Sequence, residues 1–572
     1  MENNNENFVR SRWYKNSVVY QIYPRSFKDG NGDGIGDIRG IIEKLDYLQD
    51  LGIDAVWLSP CYKSPNADNG YDISDYRDIM DEFGTFEDWK EMIKGLHERN
   101  IRLIMDLVVN HTSDEHYWFQ ESRKSVDNPY RDYYIWRKGR GKNGKRPPNN
   151  WTSRFGGPAW KYDETTNEWY MHLWAEKQPD LNWDNPKVRQ EVQDIVKFWL
   201  DLGVDGFRCD VITYISKTIN PDGTIPNGKF NPFACGDELF CHGPHIHEYL
   251  RELNEKVLSH YDCMTVGEAA NVDIKTGLLY TEESRNELDT IFFFDHVETD
   301  MFMQVIPKGF NLVKFKKALV SWQKAMYRKG WIALYLENHD QPRSLGRFTG
   351  KFDNHRKEAA KMLAISLHMQ QGTPYVYQGE EIGMTNFKFK SVNEMDDKLA
   401  LNIWNIVKYI PIVRQLYVPI MNKRSRDHGR KPMQWTSGEN AGFSETTPWF
   451  AVNPNYKEIN VEESMSDENG IYNFYKKLIS LRRRPDTAEI LREGTFTEYY
   501  PKNKDLFVFN RSYKGKSLFV VCNFKNKNVA LKLPDDISFN NPELVIANYN
   551  DVEPISSRTL RPYEAFVFMY ND

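Results

Sequence analysis

The sequence predicts an α/β fold built on a (β/α)8 TIM barrel, because strand-like and helix-like segments alternate along most of its 572 residues. Eight short apolar runs are continuous rather than alternating, which is typical of parallel strands covered on both faces. Eight strands with helices between them close into a barrel. The runs lie at Val18–Tyr23, Ile53–Leu58, Ile101–Val108, Val204–Phe207, Met264–Val266, Ile291–Phe294, Ile332–Leu336 and Pro374–Tyr377.

The segments between these runs carry apolar residues three and four positions apart, which predicts helices. Between the first two strands we expect one helix over residues 38–51, with Ile38, Ile41, Ile42, Leu45 and Leu48 on its apolar face. After the second strand, residues 86–99 should form the next helix. This repeated order of strand and helix is the unit from which a barrel is built.

Two segments interrupt the alternation, and one further region follows it. Residues 110–178 are rich in Trp, Tyr, Asn, Pro and Gly, so we expect a subdomain inserted after strand 3. Residues 386–430 form a second, partly helical insertion, with a helix expected over Asp396–Val413. Short alternating runs near the end predict a C-terminal antiparallel β-sandwich domain of residues 493–572. The barrel should therefore comprise residues 1–109 and 179–492.

Composition and charge argue against several classes of protein. The chain has 75 basic and 81 acidic residues and a net charge of −6, so we expect no nucleic acid and no membrane as partners. Residues Met1–Glu6 lack the basic-then-apolar order of a signal peptide, and the sequence has no apolar run long enough to span a membrane. Six cysteines in so long a chain are typical of reduced thiols. We therefore expect a cytoplasmic protein. We also expect a monomer, although the sequence itself does not determine the oligomeric state.

Three of the predicted strands are followed by a carboxylate, at Asp210, Glu268 and Asp340. The carboxyl ends of barrel strands share one face, where catalytic groups collect. Two carboxylic acids about 5 Å apart are the catalytic pair of a retaining glycosidase, and a third would suit the positive charge that develops on the sugar. Arg208 would keep Asp210 ionised, and His339 would donate to a sugar hydroxyl. The alternative is that these acidic residues simply favour the turns that end strands.

Longer motifs around these carboxylates resemble those of the α-amylase family of glycoside hydrolases, and most closely its oligo-1,6-glucosidase branch. The family segments are Asp106–His111, Gly206–Val211, Val266–Glu268 and Glu337–Asp340, and the branch segments are Gln178–Trp183 and Arg426–Trp435. The resemblance covers nearly the whole chain, from Val18–Phe27 to Leu560–Phe566. Several motifs in the family's order are far more specific than any one short motif.

The resemblance implies a role for each matching position. Asp210 would be the nucleophile, Glu268 the acid/base, and Asp340 the carboxylate that stabilises the transition state and distorts the sugar. The implied substrate-binding residues are Asp68, Tyr71, His111, Gln178, Arg208, Val211, His339 and Arg426. Tyr71 would stack on the sugar ring, and Asp68 and Arg426 would clamp the hydroxyls of the non-reducing end, which would make the enzyme exo-acting. Arg430 is an alternative to Arg426.

A glycine-rich loop near the start of the chain is a candidate cation site. Side-chain oxygens occur at alternate positions, on Asp29, Asn31, Asp33 and Asp37, with the backbone carbonyl of Ile35 among them. This pattern is similar to the first half of an EF-hand loop, although Gly40 stands where its glutamate would be. The oligo-1,6-glucosidase branch uses the loop for a structural cation, which implies Ca²⁺ here, or alternatively Mg²⁺. An ordinary Asp/Gly turn is the other interpretation.

The linkage that the enzyme cleaves depends on residues beside the catalytic pair. Val211 would face the +1 sugar, beyond the scissile bond, and a Val there resembles relatives that cleave α-1,6 bonds, whereas Thr or Ala is typical of α-1,4-specific ones. Glu268 is followed by Ala269 and Ala270, where relatives usually carry a larger residue such as Met. The smaller side chains widen the expected +1 site and leave other linkages open.

The predicted function is that of a retaining exo-α-glucosidase, releasing glucose from the non-reducing end of α-1,6-linked isomalto-oligosaccharides. The alternatives are an α-1,4-glucosidase or sucrose hydrolase of broad linkage specificity, and a sucrose isomerase or transglucosylase. Sucrose isomerases of this branch carry an Arg-rich motif near Phe294–Asp300, where this chain has no Arg, so hydrolysis is favoured. The non-catalytic heavy chains of amino-acid transporters share the fold, but they need a membrane anchor and usually lack the carboxylates. The expected partner is thus an oligosaccharide or disaccharide substrate.

Overall fold

The computed structural model describes residues 10–231, 235–302, 306–352 and 354–572, so the expectation about a signal peptide falls outside the described residues. Eight parallel strands form its centre: β1 (Val19–Ile22), β2 (Ala55–Leu58), β3 (Arg102–Leu107), β4 (Gly206–Cys209), β5 (Met264–Glu268), β6 (Thr290–Phe292), β7 (Ala333–Leu334) and β8 (Thr373–Tyr377). They pair in the order β6-β5-β4-β3-β2-β1-β8-β7. A parallel bridge between Ile291 and Ile332 joins β6 to β7 and closes the ring. The predicted (β/α)8 barrel is confirmed.

The barrel strands are buried on both faces. Every residue of β1, β2, β4 and β8 is buried. Burial on both faces explains why these strands read as continuous apolar runs in the sequence. The ring of helices that covers them spans Ile38–Glu43, Leu45–Leu51, Phe86–Glu98, Pro186–Asp201, Ile246–Lys256, Ile274–Thr281, Leu312–Met326, Arg356–His368 and Ile471–Ser480.

The helix expected over residues 38–51 is instead two helices. Asp37 begins the first by accepting a hydrogen bond from the N–H of Gly40 at 2.7 Å. The chain leaves helical geometry at Lys44, where φ is −108° and ψ is 10°. The second helix ends at Gly52, whose φ of 84° is the left-handed conformation that glycine adopts without strain. The spacing of apolar residues does not reveal this break, because the apolar residues of both helices lie on the buried side.

The insertion after β3 contains a small antiparallel sheet. Its strands are Trp136–Arg137, Trp160–Asp163 and Glu168–Met171, with the third strand in the centre, and they follow a short helix over Tyr117–Ser122. Phe119 of that helix contacts the rings of Tyr134, Trp136 and Tyr170, with centroids 5.0 to 5.7 Å apart. These aromatic residues of the insertion therefore pack against one another, within the same buried cluster as the barrel core. An antiparallel bridge between His111 and Asp180 connects its two ends at the barrel mouth.

The second insertion is a helical hairpin, here defined as residues 398–424. The single helix expected over Asp396–Val413 is two helices, Lys398–Val407 and Pro411–Arg424, because Pro411 begins a new helix. Ala400, Tyr417 and Met421 form the buried side of the hairpin. Further short helices span Asp237–Phe240, Ser344–Arg347, Val461–Ser466 and Pro485–Glu493.

The C-terminal region is antiparallel, as predicted. Its strands are β9 (Thr495–Tyr499), β10 (Leu506–Tyr513), β11 (Lys516–Asn523), β12 (Val529–Leu531), β13 (Asn540–Ala547), β14 (Arg558–Leu560) and β15 (Ala565–Asn571). Five strands pair in the order β9-β10-β11-β15-β13, and β12 pairs with β14. Arg511 of β10 is buried and donates to the carbonyls of Ile490, Leu491 and Gly494, which joins this region to the helix before it.

In the described ranges, none of the helices combines the length and apolar character needed to cross a membrane. The six cysteines are free and buried, in agreement with the expectation of reduced thiols.

Candidate active site

The three carboxylates predicted to be catalytic lie together at the carboxyl ends of the barrel strands. Asp210 directly follows β4, Glu268 is the last residue of β5, and Asp340 lies in the loop after β7. They line one cavity, whose walls are Asp68, Tyr71, His111, Phe155, Trp174, Gln178, Asp210, Val211, Glu268, Asp340, Arg426 and Arg430. Arg208 and His339 contact these wall residues from behind. The predicted site residues are thus neighbours in space, and their individual roles remain predictions.

Arg208 lies beneath the cavity and connects three carboxylates. Its Nη1 donates to Asp210 Oδ1 at 2.5 Å and to Asp106 Oδ1 at 2.6 Å, and its Nη2 donates to Glu268 Oε2 at 2.6 Å. Asp106 belongs to β3, and its other oxygen accepts a hydrogen bond from the indole of Trp57 at 2.8 Å. A planar guanidinium holds carboxylates in a fixed geometry. Arg208 therefore fixes Asp210 and Glu268 relative to each other.

One guanidinium among three carboxylates leaves this cluster with excess negative charge. Burial raises the pKa of Asp210 well above its ordinary value, and Glu268 and Asp106 add to this, while Arg208 opposes it. Burial likewise raises the pKa of Asp106 to about 6 against the charge of Arg208. Arg208 does favour the ionised form of Asp210, as expected from the sequence, but burial and the neighbouring carboxylates outweigh it. The cluster retains a proton to higher pH than separate carboxyl groups in water would.

Asp340 has the opposite environment. Its Oδ1 accepts hydrogen bonds from Arg430 at 2.8 Å and from Arg426 at 3.2 Å, and His339 Nε2 lies 3.4 Å from its Oδ2. Burial acts to raise the pKa of Asp340, but the three neighbouring basic groups outweigh burial and hold the pKa well below its ordinary value. The site therefore places Asp340, which stays ionised, close to Asp210, whose pKa is raised by burial.

His339 is enclosed by aromatic rings and hydrogen-bonded through both ring nitrogens. Its Nδ1 lies 2.8 Å from Gln21 Nε2, and its Nε2 lies 2.8 Å from the hydroxyl of Tyr71. The ring of Tyr71 stacks on it at 5.4 Å, and that of Tyr23 stacks at 6.1 Å. Burial lowers the pKa of His339 to about 3, so the imidazole is neutral at physiological pH. Tyr71 and His339 therefore form one stacked unit, with Tyr71 at the cavity wall.

Gln178 organises the opposite wall. Its Nε2 contacts Asp68 Oδ2 at 3.0 Å, the carbonyl of Tyr71 at 3.0 Å and His111 Nε2 at 3.1 Å. Burial raises the pKa of Asp68 and lowers that of His111 to about 4. Uncharged His111 beside an amide makes this wall a set of short hydrogen-bonding groups, which suits hydroxyls rather than charged ligands.

Arg426 and Arg430 both contact Asp340, so the two alternatives considered for this position act together. Arg426 is held from the other side by Asp397, whose Oδ1 accepts from its Nη2 at 2.6 Å and from its Nε at 3.0 Å. The sequence analysis did not predict a role for Asp397, because this residue lies some thirty residues before Arg426 and belongs to no recognisable motif. Contact with Asp397 fixes the guanidinium of Arg426 at the cavity wall.

Val211 has an unusual backbone. Its φ is 37°, which is rare for a β-branched side chain, and the residue lies outside strand β4. Its N–H donates to Glu268 Oε2 at 3.1 Å. Its side chain packs in an apolar cluster with Cys241 and Ala270. Strain of this kind persists where surrounding structure enforces it, and here it directs the N–H of Val211 to Glu268.

Phe155 and Trp174 are cavity residues that the sequence did not single out. Both come from the inserted subdomain. Trp174 contacts His111 with ring centroids 5.3 Å apart, and the guanidinium of Arg426 lies 5.8 Å from the ring of Phe155. The aromatic content of residues 110–178 signalled a subdomain, but composition does not distinguish rings in its core from rings at the cavity.

The predicted cation loop is compact and internally bonded. Asp29 Oδ1 accepts from the N–H groups of Gly32 at 2.7 Å and Asn31 at 3.1 Å, and Asp37 Oδ2 accepts from that of Asn31 at 3.0 Å. Within the described residues no group of three His, Cys, Asp or Glu side chains converges as metal ligands do. The predicted donor set mixes aspartates with an amide and a carbonyl oxygen, which suits a hard cation. Calcium at this loop therefore stays a prediction.

Comparison with known proteins agrees with this geometry. Residues 21–494 match the model of the α-amylase catalytic domain, and residues 496–567 match that of the maltogenic amylase C-terminal domain. An oligo-1,6-glucosidase of Parageobacillus thermoglucosidasius is 54% identical, covering 97% of this chain and 98% of the relative. A trehalose-6-phosphate hydrolase of Bacillus subtilis is 44% identical over 97% of this chain and 98% of its own length.

Solved structures give the same result. The crystal structure of trehalose-6-phosphate hydrolase from Bacillus licheniformis has a TM-score of 0.92 and 43% identity, covering 98% of this chain and all of that one. The isomaltulose synthase of Klebsiella sp. LX3 has a TM-score of 0.90 and 40% identity, covering 97% and 99%. Since the catalytic-domain match extends over most of the sequence and carries the carboxylates at the strand ends, this chain belongs to the α-amylase family of glycoside hydrolases.

Proposed function

We propose that this protein is a retaining exo-α-glucosidase that releases glucose from the non-reducing end of α-1,6-linked isomalto-oligosaccharides. The observation that carries the proposal is that Asp210 and Glu268 are held by one guanidinium at the ends of neighbouring strands. Retention needs two carboxyl groups close together, one ionised and one protonated. The oligo-1,6-glucosidase relative supports the substrate class.

In the first step Asp210 attacks the anomeric carbon while Glu268 gives its proton to the glycosidic oxygen, so that the aglycone leaves and a glucosyl ester forms. In the second step Glu268 takes a proton from water, and the water oxygen displaces Asp210. Glu268 suits both transfers, because its side chain is 18% exposed whereas that of Asp210 is 7% exposed. Asp340 stays ionised and stabilises positive charge at the anomeric centre.

The closed end of the cavity accounts for release of single glucose units. Asp68, Arg426 and Arg430 form this end, and Asp397 immobilises Arg426. Charged groups that are already fixed by protein partners bind the terminal hydroxyls without further loss of side-chain freedom. A further sugar in that direction would have to displace them. Cleavage therefore occurs after the terminal glucose.

The linkage preference is proposed from Val211, the apolar residue of the cavity wall beside Asp210. Its apolar side chain offers no hydroxyl to the +1 sugar. We therefore expect the site to accept the flexible α-1,6 linkage in preference to a linkage that needs hydrogen bonds from the +1 site. Ala269 and Ala270 leave space, so activity on maltose or sucrose is the second candidate function. Isomerisation is disfavoured because the segment Phe294–Asp300 contains no Arg.

Two variants test the catalytic assignment. Asp210→Asn and Glu268→Gln should each abolish nearly all glucose release from isomaltose while leaving the melting temperature close to that of the wild type. Azide should rescue Asp210→Gly through a product of inverted configuration, because the small anion takes the place of the missing nucleophile. Turnover by Asp210→Asn at the wild-type rate would remove the basis of the proposal. A panel of isomaltose, panose, maltose, sucrose and trehalose would then rank the linkages.

The cation, the location and the assembly state are proposed from the sequence. We propose a structural Ca²⁺, or Mg²⁺, held by Asp29, Asn31, Asp33, Asp37 and the carbonyl of Ile35. When bound, it would neutralise aspartates that burial otherwise penalises. A cytoplasmic location and a monomer complete the proposal; sedimentation velocity and cell fractionation test them.

A further inference from the structure

A group of exposed apolar side chains lies at the turn of the helical hairpin, near the mouth of the barrel. In the described part of the chain ten large apolar side chains are exposed, and five of them lie within residues 406–416. They are Ile406, Tyr409, Ile410, Ile412 and Leu416, between 51% and 80% exposed. We call these five residues the apolar tip. Scattered exposed apolar residues are ordinary, but a contiguous group marks an interaction site.

The rest of the hairpin is well packed, so the apolar tip is a feature of folded structure. Tyr417 and Met421 are buried and pack with Phe389 and Phe450. The hydroxyl of Tyr417 donates to the carbonyl of Ala400, which connects the two helices. The hairpin therefore has an inner face that stabilises the fold, and its turn projects apolar side chains outward.

The same segment carries concentrated positive charge. Residues 398–424 contain five basic residues and no acidic residue, in a chain whose net charge is −6. Among the described residues, Arg424 of this segment forms an ion pair with Asp300 at 3.1 Å. The other four basic residues have no carboxylate partner among the described residues. Lys408 and Arg414 lie at the turn beside the apolar tip, and Lys398 and Lys423 lie at the far ends of the two helices. The surface is thus both apolar and cationic.

The positive charge beside the apolar tip favours one kind of partner over the others that an apolar surface could bind. A second copy docked through the same face would bring like charges together across a two-fold axis. An oligosaccharide would need hydrogen-bonding groups, which isoleucines lack. Apolar side chains flanked by Lys408 and Arg414, with Tyr409 among them, match the interfacial region of an anionic bilayer.

We propose that the apolar tip docks this protein on an anionic lipid bilayer as a peripheral contact, which departs from the expectation, drawn from the net charge, that no membrane is a partner. Ile410 and Ile412 enter the interfacial region, and the surrounding basic side chains contact the lipid phosphates. Lys398 and Asn402 of the same hairpin line a cleft that also contains Phe155 and Trp174. The hairpin that carries the apolar tip is therefore also part of the surface beside the catalytic cavity. The proposal does not depend on the linkage that the enzyme cleaves.

The test is co-sedimentation of the full-length protein with vesicles of phosphatidylglycerol and phosphatidylcholine, compared with vesicles of phosphatidylcholine alone. We expect binding to the anionic vesicles that weakens as salt is added. Lys408→Gln with Arg414→Gln should weaken binding about 25-fold, from about fivefold for each basic residue near the surface. Ile410→Asp with Ile412→Asp should abolish it. Val126→Asp, at a 51% exposed residue in the inserted subdomain, is the matched control and should bind as the wild type does.

Three results would overturn the proposal. The first is absence of binding to anionic vesicles at low salt. The second is equal binding to both kinds of vesicle, or equal loss of binding in the Val126→Asp control. The third comes from sedimentation velocity without lipid: a dimer that Ile410→Asp with Ile412→Asp converts to a monomer would identify the apolar tip as an interface between two copies of the chain.

Discussion

Replacing Arg208 by glutamine tests whether one guanidinium sets both the geometry and the charge of the catalytic pair. The change removes a buried positive charge that contacts Asp210 and Glu268 at 2.5 and 2.6 Å. An opposite charge at such distances lowers a carboxyl pKa by about 1–3 units. Without it, the pKa of Asp210, which burial already raises, should rise by about that amount again.

The sign of the effect follows from the role proposed for Asp210. A nucleophile must be ionised, so activity is lost as the pH falls through its pKa. A higher pKa moves this acid limb of the kcat/KM profile to higher pH, by about 1–3 units in Arg208→Gln. Arg208→Lys keeps the charge and should leave the limb nearly in place. A single ammonium cannot reproduce three short contacts, however, so its kcat should still fall.

The loss of rate can be estimated from the same contacts. A hydrogen bond to a charged group contributes about 1.5–3 kcal/mol, and two of the three contacts of Arg208 reach catalytic carboxyl groups. Losing both should cost about 3–6 kcal/mol of transition-state stabilisation, or about 10²- to 10⁴-fold in kcat. The assay is hydrolysis of an aryl α-glucoside across the acid limb. Each variant should first be checked for folding by circular dichroism.

Arg558→Gln is the matched control, because it breaks a buried ion pair with Glu564 at 2.8 Å in the C-terminal sheet. It should lower the melting temperature and leave the pH profile unchanged. If Arg208→Gln kept both the wild-type acid limb and a wild-type kcat, the guanidinium would be a packing element only. The charge of the catalytic pair would then be set by other groups.

Three further predictions concern other parts of the site. Chelation of divalent cations should lower the melting temperature more than it lowers the initial rate of glucose release, because the loop over residues 29–37 is outside the cavity. If elemental analysis found no divalent metal after dialysis against calcium, the proposed cation site would be wrong. Asp397→Asn should raise KM more than it lowers kcat, because Arg426 loses its anchor, and an unchanged KM would show that this anchor is dispensable. Val211→Thr should lower the isomaltose-to-maltose ratio of kcat/KM by about 1–3 kcal/mol with little change in stability. An unchanged ratio would remove Val211 from the specificity wall.

The barrel and the location of the site were predictable because they depend on strong local signals. Buried parallel strands give continuous apolar runs, and the carboxylates that follow β4, β5 and β7 lie on one face by the geometry of the barrel alone. Asp210 and Glu268 could therefore be paired without knowing any contact. The roles of Tyr71, Gln178 and Arg426 came only from the resemblance, since no spacing brings residues so distant in sequence together.

What the sequence did not predict depends on contacts between distant segments. The raised pKa of Asp210 results from burial and from the charges of Glu268 and Asp106, and none of these is visible in the motif around Asp210. Asp397 reaches Arg426 from an insertion whose helical boundaries were themselves misplaced, because Pro411 begins a new helix there. Local patterns define the elements, whereas the charge of a buried site depends on which elements meet.

The geometry of Val211 shows why linkage specificity and catalysis are connected. Its backbone adopts φ of 37° and its N–H donates to Glu268, while its side chain belongs to the apolar cluster that includes Cys241. The proposed acid/base is therefore contacted by the same residue that is proposed to form the wall of the +1 site. A glycine at this position would relax the backbone, but it would remove the apolar wall and loosen the N–H that contacts Glu268. A larger residue in place of Ala270 would crowd this cluster and so disturb that hydrogen bond. Changes of linkage preference at this wall should therefore alter kcat as well as KM, because the acid/base moves with the wall.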